Sequence, residues 1–346
     1  MSSIGIATVG AGAWGSRVVA ALAATPGAQL RWICDRNPAN LARLEGVHPG
    51  TRLTTSFDEV LRDGGVAALV VAAESRNHHP LARQALQADR HVLVEKPLAL
   101  STNDAADLCT LARRARRTLM VGHLLLYDPA VTVARQAIDA GELGDVLTLH
   151  SQRTNLGTVR RDENAWWSLA PHDVAVALHL LGELPHEVSA TGGCFLQRGR
   201  GVEDLAFATL RFGDGRLAHV HVSWLDPLKR RSLTVVGSKK MLTFEESASE
   251  QRIKIFDRRA VSFSEGQPRD GQGALTDELV SVHRGEMRAP ALPAGDPLRL
   301  QCAHFIECVQ TGQRPRTDGE QGLAVVRVLE AGQRSMRAGG APTPLA

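Results

Sequence analysis

The stretch IGIATVGAGAWG, residues 4–15, is an apolar run that leads into three glycines, Gly10, Gly12 and Gly15. The run Ile4–Val9 predicts a buried strand, and the residues from about Trp14 to Ala24 predict a helix that follows directly. In such a unit the first glycine permits a tight turn, the second lets the backbone approach a pyrophosphate, and the third lets helix and strand pack closely. The helix N-terminus then offers free N–H groups to phosphate oxygens. The pattern therefore predicts a dinucleotide-binding fold.

A second predicted strand ends at Asp35, twenty residues after Gly15. A carboxylate at this place accepts hydrogen bonds from the adenosine ribose hydroxyls. It would also repel a 2′-phosphate, which favours NAD as the cofactor. Arg36 could pair with such a phosphate or stack on the adenine, so NADP remains an alternative.

Up to residue 124, continuous apolar runs alternate with helical patterns. The runs after Asp35 include Val66–Ala73, His91–Val94 and Leu119–Gly122. Strands without polar alternation, separated by helices, are typical of a parallel sheet that is buried on both faces. Residues 1–124 are therefore predicted to form a doubly wound α/β domain of the Rossmann type.

Residues 125–346 show a different pattern of shorter strands joined by tight turns such as Gly213-Asp214-Gly215. A helix is predicted at about Pro171–Leu181, and the stretch from Glu265 to Asp296 is expected to be a long surface excursion. We predict an α+β domain built on a large, mostly antiparallel sheet, which binds substrate and joins subunits.

Composition excludes several classes of protein. The 346 residues are 43% hydrophobic and 22% charged, as in ordinary globular chains. The net charge of +3 gives no support for nucleic-acid binding, and the eight-residue run Val66–Ala73 is far shorter than the ~20 residues of a membrane helix. The five cysteines include no Cys-x-x-Cys pair, which favours reduced thiols in the cytoplasm over disulfides or structural zinc.

Lys96 stands in the step Glu95-Lys96-Pro97, directly after the fifth predicted strand. Ligands of doubly wound sheets lie beyond the carboxyl ends of the strands, so Lys96 is expected to face a nicotinamide ring. It is also the only lysine in the first 228 residues. An arginine could replace a surface lysine, but it could not replace a group that donates and recovers a proton. A surface lysine without a chemical role is the alternative.

These features together, over the whole chain, resemble the Gfo/Idh/MocA oxidoreductases. In that family the lysine of this step acts at the active centre, and its bond to proline is often cis. His78 after the fourth strand, His123 after the sixth and the run Tyr127-Asp128-Pro129-Ala130 extend the resemblance. From the motif and the resemblance, the predicted cofactor-binding residues are Gly10, Gly12, Ala13, Trp14, Gly15, Asp35, Arg36, Ala72, Ala73, His78, Glu95, Lys96 and His123.

The segment WWSLAPHD, residues 166–173, fills the second place where the family has functional residues. Family members usually have an Asp four residues before the active-site His and often another three after it, where this chain has Ser168 and Ala175. Either His172 acts with Lys96 alone, or Asp173 or a substrate group replaces the missing acid. Pro171 suits the first position of a helix, which would put His172 in the first turn, where the dipole disfavours imidazolium. A neutral imidazole there is a plausible base, and a histidine with no catalytic role is the alternative.

The run Pro171-His172-Asp173, with the stretches at 153–157 and 224–227, is similar to the branch that acts on nucleotide sugars and antibiotic sugars. The resemblance implies an NAD(P)-dependent dehydrogenase that oxidises a secondary ring hydroxyl of a nucleotide sugar, an aminoglycoside or a cyclitol, with Lys96 and His172 as catalytic residues. The predicted substrate contacts are Lys96, Tyr127, Arg153, Asn155, Trp167, His172 and Asp173. The alternatives are a ketosugar reductase in deoxysugar biosynthesis, a redox-neutral enzyme with tightly held NAD, and a non-catalytic dinucleotide-sensing protein.

The charged residues and the two tryptophans near the predicted site each have two interpretations. A cationic substrate would favour nearby acids (Asp162, Glu163, Asp173 and Asp226), and a diphosphate would favour Arg160 and Arg161. The indoles of Trp166 and Trp167 form either a sugar-stacking platform or core.

His219 and His221 alternate on one strand, and a polar sheet face is favoured there over a metal site, so no metal is expected. The four arginines 113, 114, 116 and 117 are interpreted as a solvated helix end. The sheet of the second domain offers a face for a homodimer or homotetramer, as is common in the family.

Overall fold

The computed structural model describes residues 3–157, 159–160, 163–262 and 280–345, and within them two β-sheets organise the chain. The strands are β1 (Ile4–Val9), β2 (Ala28–Cys34), β3 (Arg52–Thr54), β4 (Ala68–Val71), β5 (His91–Val94), β6 (Leu119–Val121), β7 (Val146–Thr154), β8 (Glu187–Gly193), β9 (Leu205–Arg211), β10 (Leu217–Ser223), β11 (Arg230–Gly237), β12 (Met241–Glu245), β13 (Ile253–Ser262), β14 (Val280–Arg288) and β15 (Thr343–Pro344). The helices are α1 (Ala13–Ala23), α2 (Pro38–Ala42), α3 (Phe57–Arg62), α4 (His78–Gln87), α5 (Thr102–Ala115), α6 (Pro129–Asp139), α7 (Ala165–Leu181), α8 (Pro297–Thr311) and α9 (Gly319–Arg337).

The first sheet has six parallel strands in the order β3-β2-β1-β4-β5-β6. Every residue of β1 and β4 is buried, because helices cover both faces, and this explains why the two strands are apolar without alternation. The order reverses direction between β1 and β4, which is where doubly wound sheets bind their ligands. The predicted fold class of this half is confirmed.

The second sheet has nine strands in the order β14-β13-β12-β11-β7-β10-β9-β8-β15. All its neighbouring pairs are antiparallel except β7 with β10, which confirms the prediction of a large, mostly antiparallel sheet. One face carries the core with α7, and the other face carries polar and aromatic side chains such as His150 and Phe207.

Two expectations about elements in the second half are wrong. Helix α7 begins at Ala165, six residues before Pro171, because the Asn164 side chain accepts a hydrogen bond from the Trp167 N–H and caps the helix there. The expected surface excursion at 265–296 contains strand β14, which pairs with β13. Residues 263–279 of that stretch lie outside the described residues.

The last two helices pack against both sheets. Leu298, Cys302 and Phe305 of α8 lie in one core cluster with Ile4 and Val18 beside the parallel sheet. Leu323 and Val326 of α9 join the cluster on its other side. A division between residues 124 and 125 stays a prediction, since the parallel sheet takes part of its cover from the end of the chain.

None of the helices in the described ranges combines the length and the apolar character needed to cross a bilayer.

Candidate active site

A cavity of about 360 Å³ lies at the carboxyl ends of β4, β5 and β6, where the two halves of the chain face each other. Predicted site residues from both halves line it, namely Trp14, Ala72, Ala73, His78, Glu95, Lys96, Arg153 and His172. The structure therefore brings the two predicted catalytic residues to one cavity, although they are far apart in sequence.

The glycine turn borders this cavity and fits the pyrophosphate of a dinucleotide. A Cβ atom on Gly15 would lie 2.1 Å from the Gly10 carbonyl oxygen, so helix and turn pack too closely for any side chain. Within the described part of the chain, a Cβ on Gly12 would meet no atom within 4 Å, which leaves the edge of the turn bare. No side chain of the described residues caps the N-terminus of α1, whose first N–H groups are left for an anion.

Asp35 is held beside this turn by three hydrogen bonds. Its carboxylate accepts from the Ala11 N–H at 2.6 Å, the Asn37 N–H at 2.8 Å and the Asn40 Nδ2 at 3.0 Å. The neighbouring Arg36 has a side chain that is 70% exposed and is paired with Glu74 at 3.1 Å. The arrangement fixes a carboxylate next to the place where an adenosine ribose would lie.

Lys96 reaches across from the first half of the chain to helix α7. The peptide bond between Lys96 and Pro97 is cis, as the resemblance implied. The Lys96 Nζ donates a hydrogen bond to the Ser168 carbonyl oxygen at 2.9 Å, and no carboxylate of the described residues forms an ion pair with it. Burial lowers the pKa of this ammonium, while the charges of Glu163 and Glu95 act in the opposite direction. Residue 168, where the family pattern has an acid, thus contacts Lys96 through its backbone carbonyl.

His172 is the eighth residue of α7, not a member of its first turn. The predicted cause of its neutrality, the dipole of the helix N-terminus, is therefore wrong. Burial is the main cause, and it lowers the pKa of the imidazole well below its usual value, with the charges of Lys96 and Arg153 acting in the same direction. The ring lines the cavity, and its buried Nδ1 has no hydrogen-bond partner among the described residues.

A buried ion-pair network forms one wall of the cavity. Arg153 donates to the Asp173 carboxylate at 2.7 Å and 3.4 Å and to Glu246 Oε2 at 3.0 Å. The Arg153 and Asp173 side chains are only 7% and 6% exposed. Asp173 is therefore engaged with Arg153 and does not line the cavity, whereas Glu246 does.

Sequence reasoning missed Glu246, which is 93 residues away from its partner Arg153. It follows strand β12, and no motif or spacing connects it to the other site residues. The need of a buried arginine for a carboxylate is already met by Asp173, so no signal in the sequence pointed to Glu246.

Besides Asp173, three more predicted substrate contacts do not line the cavity. The Tyr127 hydroxyl is buried within hydrogen-bonding distance of Thr317 Oγ1 at 3.0 Å, and Tyr127 lines a separate cavity with His304 and Arg316. The Asn155 side chain accepts a hydrogen bond from Arg231 at 3.0 Å. Trp167 packs partly buried against both main cores.

Trp166 is wholly buried in the core, where its indole donates to the Leu329 carbonyl at 2.9 Å, and this favours core over a sugar-stacking platform.

Two histidines of the predicted cofactor set follow β4 and β6, the strands on either side of β5. His78 bridges the Pro97 and Ala73 carbonyl oxygens, at 2.7 Å and 3.0 Å, and so holds the Lys96 step against the end of β4. His123 is buried just after β6, with both ring nitrogens unpartnered among the described residues. Burial and the charge of Lys96 lower its pKa to about 3.

The residues weighed as contacts to a charged substrate are only partly described. Arg160 and Glu163 form an ion pair at 3.0 Å on the cavity wall. Arg161 and Asp162 lie outside the described residues.

His219 stacks on His150 and His221 on Phe207, on the outer face of the second sheet. No group of three or more His, Cys, Asp or Glu side chains in the described part of the chain is placed to hold a metal ion.

Comparisons with known proteins agree with the fold and the turn. Residues 4–123 match the oxidoreductase family with an NAD-binding Rossmann fold, and residues 131–243 match the GFO/IDH/MocA C-terminal domain. Inositol 2-dehydrogenase 2 of Paenarthrobacter aurescens (strain TC1) is 27% identical over 98% of both chains. The 2,7-anhydro-N-acetylneuraminate hydratase of Escherichia coli (strain K12) is 29% identical, but that match covers 62% of this chain and 60% of the hydratase.

Among solved structures, GenD2 from gentamicin A biosynthesis, in complex with NAD, superposes with a TM-score of 0.81 at 25% identity, covering 100% of this chain and 97% of GenD2. The two matched segments together cover most of the chain: the first contains the whole parallel sheet, and the second contains β7 to β11 of the other sheet. The chain is therefore a member of the Gfo/Idh/MocA oxidoreductase family, with an NAD-binding Rossmann domain as its first half.

Proposed function

We propose that this protein oxidises a secondary hydroxyl group of a sugar or cyclitol ring to a ketone, with NAD as the hydride acceptor. The observation that carries the proposal is the position of Lys96 and His172 on one cavity at the ends of β4, β5 and β6, beside the bare glycine turn. The inositol dehydrogenase and GenD2, which are similar along nearly their whole length, support a ring alcohol as the substrate.

The chain's own residues explain how the cofactor would be held. The open edge at Gly12 and the uncapped α1 receive the pyrophosphate, and the fixed carboxylate of Asp35 receives the ribose hydroxyls. NAD fits better than NADP, because Asp35 would repel a 2′-phosphate and Arg36 is already paired with Glu74. When bound, the nicotinamide supplies the site that accepts a hydride.

Lys96 stabilises the oxygen that loses its proton. Its side chain is partly buried, and the partner of its ammonium is a neutral carbonyl rather than a carboxylate, so most of its positive charge is available to a substrate oxygen. In a site shielded from water, a donor aimed at a developing alkoxide lowers the barrier far more than it would in solution.

His172 accepts the hydroxyl proton. It is neutral at ordinary pH, because burial and the neighbouring positive charges of Lys96 and Arg153 disfavour imidazolium. It can therefore take a proton without first losing one, and its side chain lines the same cavity as the ammonium of Lys96.

A substrate panel with NAD tests this function. The purified protein is incubated with NAD and a cyclitol, an aminoglycoside or a nucleotide sugar, and NADH is followed by its near-ultraviolet absorbance. We expect NADH to accumulate with at least one ring alcohol. NADH consumption with ketosugars alone would instead indicate a reductase, and cofactor binding without any turnover would indicate a sensing protein.

A redox-neutral reaction is the second candidate, favoured by the similarity to the Escherichia coli hydratase over 231 residues. In that case the ring would be oxidised and reduced again within one turnover. Product would then form while the NADH concentration stays constant, and mass spectrometry of the product distinguishes this outcome from net oxidation.

We place the activity in the cytoplasm. All five cysteines, Cys34, Cys109, Cys194, Cys302 and Cys308, are free thiols, and four of them are buried. Thiols that are left unpaired in this number suit a reducing compartment.

A further inference from the structure

Glu246 is a hydrogen-bond acceptor on the cavity wall, and Arg153 holds it there. It directly follows β12, and its backbone N–H donates to the Arg231 carbonyl at 2.8 Å. Its side chain is 30% exposed and lines the same cavity as Lys96 and His172. Only Oε2 has a hydrogen-bond partner among the described residues, the guanidinium of Arg153 at 3.0 Å.

Arg153 holds this carboxylate in one orientation. The guanidinium is itself anchored by two hydrogen bonds to the buried Asp173, so it cannot follow Glu246 into solvent without losing them. A planar guanidinium that binds two carboxylates keeps both in defined positions. The second oxygen of Glu246, Oε1, has no hydrogen-bond partner among the described residues, so this carboxylate on the cavity wall can accept a further hydrogen bond.

A carboxylate oxygen only accepts hydrogen bonds, so the group that meets Oε1 must donate one. Hydroxyl and ammonium groups of a ring do so. A carboxylate or phosphate at the same place has no hydrogen to donate and would set a second negative charge against Glu246.

We propose that Glu246 is a specificity-determining residue that binds a hydrogen-bond-donating substituent of the substrate ring and rejects rings with an acidic substituent at that position. The inference rests on the proposed function, since it takes the cavity to be the substrate site. It narrows the substrate to neutral or cationic polyhydroxylated rings.

Binding to the NAD-loaded protein, measured by calorimetry, tests this contact without requiring turnover. The probes are scyllo-inositol, its amino analogue scyllo-inosamine, and D-glucuronate, which carries an acidic substituent. We expect the wild-type protein to bind at least one of the two donor rings more tightly than glucuronate. Tighter binding of scyllo-inosamine than of scyllo-inositol would identify an ammonium as the group at Glu246, and the reverse order a hydroxyl.

The variant Glu246→Gln separates the acceptor from the shape of the side chain. With its amide oxygen on Arg153, glutamine places an N–H₂ group where Oε1 was, so an acceptor becomes a donor. Because a hydrogen bond to a charged group contributes about 1.5–3 kcal/mol, the affinity for the preferred ring should fall roughly 10- to 100-fold, while the affinity for NAD stays unchanged. The matched control is Glu245→Gln, the preceding residue, which is exposed and does not line the cavity.

The outcomes separate this inference from the proposed function. Equal binding of the preferred ring by wild type and Glu246→Gln, tighter binding of glucuronate by the wild type, or no binding of either donor ring would overturn it. If binding depends on Glu246 but no NADH forms, the oxidation is refuted and the contact stands. If NADH forms with the same kcat/KM in wild type and variant, the oxidation stands and the contact is refuted.

Discussion

Lys96 is a single residue on which the proposed chemistry can be tested. Methionine has a similar length and no charge, so Lys96→Met should abolish turnover while NAD binding, measured by calorimetry, changes less than about threefold, or roughly 0.6 kcal/mol. The control is Lys229→Met, an exposed lysine outside the cavity. Retained turnover, or loss of NAD binding in Lys96→Met alone, contradicts the proposed role.

The protonation of His123 affects the stability of the fold at low pH. Its pKa is about 3 in the folded protein, against about 6.5 when unfolded, so only the unfolded state takes up a proton between these values. Stability that is present above pH 6.5 is therefore lost as the pH falls toward 3. At pH 5 the unfolding free energy lost in this way amounts to about 2 kcal/mol.

Replacing His123 with Asn removes this titration. The free energy of unfolding in urea should therefore decrease by about 2 kcal/mol less between pH 7 and pH 5 in His123→Asn than in the wild type. The comparison of the two decreases cancels any constant cost of the substitution. Identical decreases in the two proteins would show that His123 is solvated or protonated in the fold.

The position of a residue in the site was predictable where a short stretch of sequence around it indicates that position. Lys96 follows a buried strand, and its position in the cavity came from that fact alone. Glu246 was not predictable, because its place depends on how β12 lies against β7 through β11, and such register is not written in any short stretch. The neutrality of His172 was predicted from the helix dipole, but burial of the imidazole is its main cause.

At the scale of elements, α1 and its turn give a matched pair of substitutions. In Gly15→Ala the new Cβ would lie 2.1 Å from the Gly10 carbonyl, so the turn must shift, at a cost of about 1–3 kcal/mol in unfolding free energy. In Gly12→Ala the Cβ meets no protein atom, so stability should be kept. That methyl group occupies the edge where the pyrophosphate would lie, so NAD affinity should fall roughly tenfold, or about 1.4 kcal/mol.

Thermal unfolding without cofactor and calorimetric titration with NAD measure the two effects separately. A stable Gly12→Ala protein with unchanged NAD affinity would show that the pyrophosphate does not lie against this turn. A Gly15→Ala protein as stable as the wild type would contradict the close packing of α1 on the turn.

Helix α7 shows why an element's start was misjudged from sequence. Pro171 is compatible with a first helical position, so the helix was predicted to begin there, six residues after its actual start at Ala165. Asn164 is an equally strong start signal, since its side chain caps the helix. Proline inside a helix removes one backbone hydrogen bond and disturbs the preceding turn, which is where the Ser168 carbonyl accepts from Lys96.

At the scale of the molecule, the outer face of the second sheet is where we expect a second copy to bind. Phe207 is 51% exposed there and stacks on His221 with ring centroids 4.1 Å apart, beside the stacked pair His150 and His219. An exposed aromatic surface on a broad sheet suits association between subunits. The family resemblance implies a homodimer or a homotetramer.

Light scattering tests the association. The wild type should have a mass of at least twice the 37.2 kDa of one chain, and Phe207→Asp should shift it toward one chain, since aspartate brings an unpaired charge to the face. The control is Leu184→Asp, an exposed leucine between α7 and β8. A wild type of single-chain mass, or a Phe207→Asp protein of unchanged mass, refutes this interface.

Both sheets were predictable from the alternation of apolar runs, helices and turn residues. It was not predictable that α8 helps to cover the parallel sheet. The apolar stripe of α8 predicts that the helix packs against another element, but it does not identify that element. Leu298 and Phe305 are nearly 300 residues away from Ile4 in sequence, and they lie in one cluster with it.

This late cover has a consequence for synthesis. On the ribosome, the parallel sheet emerges well before Leu298 and Phe305 are translated, so Ile4 and Val18 stay uncovered in the nascent chain. The first half then exposes apolar surface until α8 has been translated, and chaperones can cover this surface during that time. Premature termination before residue 297 would yield an aggregating fragment rather than a free nucleotide-binding unit.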